Sequence, residues 1–212
     1  MKKNIVLFIL FILPIVAYLF FASGVNSFTK LPIVTAKLPD FGKWETLKGE
    51  AVSLDNKITI LGFGGNDMHK NRGNYFNLNQ KIYQRYHEFK DLQFVILCPI
   101  GTEADAERIL TSLAAFTDVG QWYFIFAKPE EITAYYDNLK INTKLNPDFG
   151  TENVFIIDKE RNLRGRKGDK EFEAGYSTFH PSELSNEMLD DFKIILYEYR
   201  SAFKRNNADR QI

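Results

Sequence analysis

Two stretches of the chain carry residues able to do chemistry. Gly64–Asn74 (GGNDMHKNRGN) holds Met68 and His69 side by side. A thioether and an imidazole are both acceptable copper ligands. Two neighbours are too few to close a tight site, so a metal there needs further donors. Without them the loop reads as solvated, with Met68 resting on apolar surface and His69 exposed. The second stretch is Leu92–Cys98 (LQFVILC), which ends in the single cysteine. Cys98 could serve as a nucleophile, a one-cysteine redox thiol, a metal ligand or half of an intermolecular disulfide, provided its pKa is lowered and it is reachable. Its neighbours Val95, Ile96, Leu97, Pro99 and Ile100 are apolar and supply no base. A buried structural cysteine is the preferred reading.

The remaining polar groups do not assemble into a reaction. His87 sits off the apolar stripe of a helix, and His180 precedes Pro181 near the start of the last one. Asp67 and Arg72 are spaced to form a loop ion pair. Glu130-Glu131 and Asp190-Asp191 fall where helix surfaces carry charge, without an arrangement for acid–base work. Gly62, Gly64 and Gly65 lack the Lys-Ser/Thr of a phosphate-binding loop. No catalytic residue is assigned, and a non-enzymatic role is expected.

Composition agrees. The 212 residues carry 27 Lys+Arg and 27 Asp+Glu, so no net charge draws the chain to nucleic acid. One cysteine excludes an intramolecular disulfide framework and a cysteine-rich zinc site. Nineteen Phe supply ample core material.

Location is written at the N-terminus. Ile5–Ala22 is 18 residues without a charge. At the helical rise this spans ~27 Å, about one hydrocarbon core. Lys2 and Lys3 favour a cytoplasmic N-terminus, placing the rest of the chain on the extracytoplasmic, periplasmic side. A cleaved signal peptide is the rival, with Ala22-Ser23-Gly24 as its cutting site. The length of the apolar run favours an uncleaved anchor. A buried core helix does not fit, because the run has no polar face. The predicted organisation is an anchor (1–24), a linker (25–37), one folded domain (38–205) and a polar tail (206–212).

Strands and helices alternate through that domain. Strands are predicted at Lys57–Phe63, Leu92–Cys98, Gln121–Ala127 and Asn153–Asp158, with a return hairpin at Leu163–Arg166. Helices are predicted at Tyr75–Phe89, Glu103–Phe116 and from Pro129, and a long one follows a Ser182 cap. Its stripe is Leu184, Met188, Phe192, Ile195, Tyr199 and Phe203. Arg164–Ala174 reads as a surface loop, and 164–180 as a possible contact surface through Tyr176 and Phe179. The β-α-β-α-β-α-β-β-α order implies right-handed crossovers and a central mixed sheet flanked by helices, a thioredoxin-like α/β fold. In that fold the loop after the first core strand carries the chemistry. Here that loop is Gly64–Asn74.

From about Leu38 to Leu196 the chain resembles the SCO/SenC family of membrane-anchored copper proteins. The resemblance rests on the anchor, Leu38-Pro39-Asp40-Phe41, Ile60-Leu61-Gly62-Phe63, Phe94–Pro99 before an acidic helix, and Phe155-Ile156-Ile157-Asp158-Lys159-Glu160. It implies a role in supplying or reducing the copper centre of a terminal oxidase, with oxidase subunits or assembly factors as partners. Family members use a Cys-x-x-x-Cys in the site loop and a distal His. This chain has no thiol in the loop, and the His position falls at or beside Gly150. The family ligands therefore do not carry over. The expectation is a degenerate SCO-like binding or scaffold module with no cofactor. The alternatives are copper near Met68 and His69, with Cys98 a third candidate ligand, and a one-cysteine thiol protein using Cys98.

Overall fold

The near-continuous apolar runs of this sequence have one stable destination, a sheet covered on both faces. In the computed structural model, which describes residues 8, 10–16, 30–168 and 172–208 with side chains to Ser201, that is where they lie. Residues 10–16 form a helix, α1. The rest of the expected anchor falls outside the described residues. Among the described residues, no helix is long and apolar enough to cross a membrane.

The main sheet runs β1 (Ile33–Thr35), β7 (Leu163–Arg164), β6 (Gly150–Ile157), β3 (Ile58–Gly64), β4 (Leu92–Pro99), β5 (Trp122–Ala127) and β2 (Glu45–Thr46), with β10 (Gly175–Ser177) also paired to β6. The three central strands β3, β4 and β5 are parallel, and β6 lies antiparallel to β3. Every residue of β3 and β4 is buried. The thioredoxin-like, mixed α/β architecture read from the sequence is therefore the one observed.

Helices cover the two faces. One core joins α2 (Arg72–Leu78), a π-helical segment (Asn79–Tyr83) and α3 (Gln84–Tyr86) to α4 (Glu103–Ala114) and the C-terminal helix. Tyr83, Phe94, Trp122 and Phe124 cluster at its centre, with Phe94 and Trp122 centroids 4.9 Å apart and Tyr83 edge-on to Phe94. The other core lies under α5 (Pro129–Asp137), where Ile132, Tyr135, Tyr136 and Leu139 are buried as their spacing predicts. The C-terminal helix starts at α6 (Pro181–Glu183), passes through π-helical Leu184–Met188 and continues as α7 (Leu189–Ala208). Leu184, Met188, Phe192 and Ile195 face the core. The side chain of Phe203 lies outside the described ones.

Three expectations are corrected. His180, not Ser182, occupies the N-cap, because Pro181 takes the first helical position, where its missing N–H costs nothing. Arg164–Ala174 is not a plain surface loop. Arg164 is buried, pairing with Asp158 at 3.0 Å and Glu198 at 2.9 Å, and the chain then forms a hairpin of β8 (Arg166–Lys167) and β9 (Phe172–Glu173). Hydropathy misplaces Arg164 because its burial depends on two distant carboxylates. Finally, the expected linker (25–37) contains the edge strand β1 at Ile33–Thr35. Leu31 is buried, and β1 pairs with β7.

Candidate functional site

The site loop leaves the sheet at Gly64, opposite Gly150 in the β3–β6 register. Both strands approach closely there. Gly65 has φ +71°, and a Cβ on it would stand 3.0 Å from Gly150 Cα and from Asp148 Oδ2. A Cβ on Gly150 would stand 3.0 Å from Gly65 Cα. A side chain at either position would force the two backbones apart by a few tenths of an ångström, and at Gly65 the positive φ adds strain. The Asn66 N–H donates to the Asp148 carbonyl at 2.9 Å, tying the loop to the segment before β6. The position where the SCO resemblance implies an imidazole is thus filled by backbone contact.

Behind Gly64 lie two sulfur atoms. Met68 and Cys98 are both fully buried, with Cys98 Sγ 3.4 Å from Met68 Sδ. Burial pushes the Cys98 thiol well above its usual pKa, and the Glu103 charge adds to this. The Gly64 N–H opposes the shift more weakly. Cys98 therefore stays protonated at neutral pH, away from solvent.

The structure parts Met68 from His69. Met68 turns into the core, and His69 stays exposed with its Nε2 3.3 Å from Arg72 Nη1. The reason is ordinary: a thioether gains from leaving water and an imidazole does not. Asp67 is not paired with Arg72 either. Its Oδ1 accepts the Lys70 N–H at 3.3 Å. His87 is half-buried, with Nδ1 3.0 Å from the Gln84 carbonyl oxygen. His180 is exposed against Phe179.

Sequence reasoning missed the sulfur–sulfur contact and a small neutral cavity beside it. The cavity, about 30 Å³, is lined by Asn71, Asn74, Tyr75, Thr151 and Thr178 over Gly62 and Gly64. Burial, then the nearness of Cys98 and Asp148, holds the Tyr75 hydroxyl well above its ordinary pKa. The cavity offers neutral hydrogen-bonding groups and room for roughly one or two waters. A separation of 30 positions hides Met68 and Cys98 from any spacing rule; only the strand-to-loop geometry joins them.

This donor set does not fit the copper site implied by the resemblance. One protonated thiol touches a thioether, and the nearby imidazole points elsewhere. Among the described residues, no group of three His, Cys, Asp or Glu is placed to hold a metal ion.

No protein-family model and no curated protein matches the chain. Solved structures do. BsSco, a member of the Sco family of cytochrome c oxidase assembly proteins, aligns over 79% of this chain and 98% of its own, at TM-score 0.52 and 12% identity. A Bacteroides thetaiotaomicron protein described as a disulfide isomerase aligns over 82% and 99%, at TM-score 0.51 and 12% identity. A Chlorobium tepidum protein described as the thiol:disulfide interchange protein DsbE aligns over 79% and 98%, at TM-score 0.50 and 20% identity. At these identities the likeness establishes the fold: a SCO-like thioredoxin fold, shared with thiol–disulfide exchange proteins.

Proposed function

We propose that this chain is a membrane-anchored, extracytoplasmic SCO-like module that binds or scaffolds partners in cytochrome oxidase biogenesis, without dithiol or copper chemistry of its own. One observation carries the reading. Where the resemblance implies a reactive loop beside a distal imidazole, Gly64 and Gly65 abut Gly150, and the single thiol is buried behind them. Cycling an intramolecular disulfide needs two thiols. The anchor is supported by the 18 uncharged residues Ile5–Ala22 behind Lys2 and Lys3. The oxidase link is supported by the fold shared with BsSco, itself described as one of a family of oxidase assembly proteins.

The test combines three measurements. The soluble part, residues 25–212, is titrated with Cu(I) and Cu(II) against a competing chelator, and assayed for disulfide reduction. The anchored chain is cross-linked in its own membranes. No copper binding, no reductase activity and cross-links to oxidase subunits are expected. Tight one-to-one copper binding, or turnover of a disulfide substrate, would overturn the reading.

A further inference from the structure

One edge strand of the sheet keeps its pairing groups open. β2 ends the main sheet, antiparallel to β5, with Glu45 opposite Phe126 and Thr46 opposite Ile125. The Leu47 N–H donates to the Phe124 carbonyl at 3.1 Å, which continues that register and makes Leu47 and Glu45 the hydrogen-bonded positions. Trp44 and Thr46 then turn their backbone groups away from β5. The Thr46 carbonyl is taken by the Gly49 N–H at 3.1 Å. The Trp44 N–H and carbonyl and the Thr46 N–H have no partner among the described residues. Such open groups are a template for one more strand.

The chain after β2 does not cover this edge. It turns at Gly49, φ +70°, and returns on the α5 side of the sheet. There the Thr46 hydroxyl donates to the Glu50 carbonyl at 2.9 Å, and Val52 packs against the core under α5. Asp40 closes the loop, accepting from Ser53 Oγ at 2.6 Å and from the Leu54 N–H at 2.7 Å. Between the two limbs lies a cavity of about 610 Å³, lined by Phe41, Trp44, Thr46, Glu50, Val52 and Ile125. Its rings are held in place: Phe41 stacks on Tyr135 at 5.5 Å, and Trp44 meets Tyr135 edge-on at 5.6 Å. A strand laid along β2 would send every second side chain toward this cavity.

The alternate side chains would meet Glu45, which shares the opposite sheet face with Phe126. Around the edge, exposed Glu45 and Glu50 stand against exposed Lys43. Lys48 is drawn back, donating to the Val119 and Gly120 carbonyls at 3.0 and 3.2 Å. The neighbouring segments add Asp118, Glu130 and Glu131 against Lys128, all exposed. Acids outnumber cations with every one of these counted, so the edge favours a basic occupant.

We propose that the β2 edge takes up an extended segment of a partner protein as an added strand, with apolar side chains entering the cavity between Phe41 and Val52 and basic ones lying against Glu45. β2 offers only three open backbone groups, so the cavity must supply part of the hold. The inference gives the binding module proposed above its partner site, and rests on that reading.

The test uses the full chain in detergent and a fluorescein-labelled peptide of four Val-Lys repeats, read by anisotropy. Saturable binding is expected, and weaker binding of the matching Val-Glu peptide. N-methylation of all Val or all Lys amides blocks one edge of the peptide at a time. One of the two sets should lower affinity about tenfold or more, and the other should leave it nearly unchanged. Thr46→Pro removes the open N–H without touching a bond to β5 and should abolish binding, whereas Thr46→Val, which also lacks the hydroxyl, should keep it. Glu45→Lys should reverse the preference between the two peptides. Absence of saturable binding, equal loss from both methylated sets, or full binding by a folded Thr46→Pro chain would overturn the strand addition. A chain that sediments as a dimer, and as a monomer in Thr46→Pro, would put a second copy on the edge and overturn the partner segment. Cross-links to oxidase subunits should be lost in Thr46→Pro; if they persist, the edge is not the partner site although the partner reading stands. If the unsubstituted chain binds the peptide but gives no such cross-links, the oxidase reading alone falls.

Discussion

Met68 Sδ and Cys98 Sγ lie 3.4 Å apart behind Gly64, which has no side chain to separate them from the strand. A Cβ at Gly64 would stand 2.6 Å from Met68 Sδ and 2.9 Å from Cys98 Sγ. Both sulfurs are fully buried and have little room to retreat. Gly64→Ala should therefore destabilise the domain by about 1–3 kcal/mol, the usual cost of overpacking. In a Met68→Ala background the same substitution should cost less, because the closest atom is gone. Urea denaturation of the four members of this double-mutant cycle checks the coupling. Strict additivity would mean that the strain lies elsewhere.

Cys98 gives a pH dependence with a definite sign. Its folded pKa is raised by burial, so the folded state keeps the proton that the unfolded state loses above about pH 8.5. The stabilising contribution is complete below that pH and is lost as pH rises. Stability should fall with a slope approaching ~1.4 kcal/mol per pH unit from this group. The buried tyrosines add their own losses only from about pH 10 upward. Cys98→Ala, examined by denaturation at a series of pH values from about 8 to 10, should flatten the profile in that window. In the same window, alkylation of the native thiol should be slow and limited by unfolding.

The parts of the fold that depend on local pattern were legible in the sequence. The stripe Leu184, Met188, Phe192 and Ile195 and the apolar runs of β4 and β5 lie where periodicity places them, because burial on one or both faces dictates residue type directly. The N-cap lies at His180 rather than Ser182, since the fixed φ of Pro181 outweighs the preference of a hydroxyl residue for the cap. The site was legible mainly in what it lacks. A missing Cys-x-x-x-Cys is visible in a sequence, but the closeness of Gly65 and Gly150 is not, because only strand register brings such distant positions together. Arg164 was misread for the same reason. Its partners Asp158, Glu198 and Leu31 come from three separate parts of the chain.

That buried ion cluster makes the next prediction. Asp158 is 1% exposed, and its Oδ2 accepts from Arg164 Nη1 at 3.0 Å. Removing the guanidinium leaves a buried carboxylate without its counter-charge and frees the Leu31 carbonyl. Arg164→Met should destabilise by about 3–5 kcal/mol, far more than loss of an exposed pair such as Arg108–Asp105. Glu198→Gln should cost less, since Asp158 still holds Arg164. Thermal denaturation of the three variants should rank Arg164→Met, Glu198→Gln and Arg108→Ala in that order of loss.

The closed strand pair at the site also limits what one substitution can restore. The family resemblance places an imidazole at or beside Gly150, but there even a methyl group would press on Gly65 Cα at 3.0 Å and Gly65 N at 3.1 Å. Those contacts are backbone, so no rotamer change relieves them. Gly150→Ala should destabilise the β3–β6 pairing by about 1–3 kcal/mol. Gly150→His should do at least as much damage without creating copper affinity, because Cys98 stays protonated and buried next to Met68. Thermal unfolding reports the first effect, and Cu(I) titration of the same two variants reports the second. A Gly150→His protein that keeps wild-type stability and gains copper binding would show that the strands can part at this point.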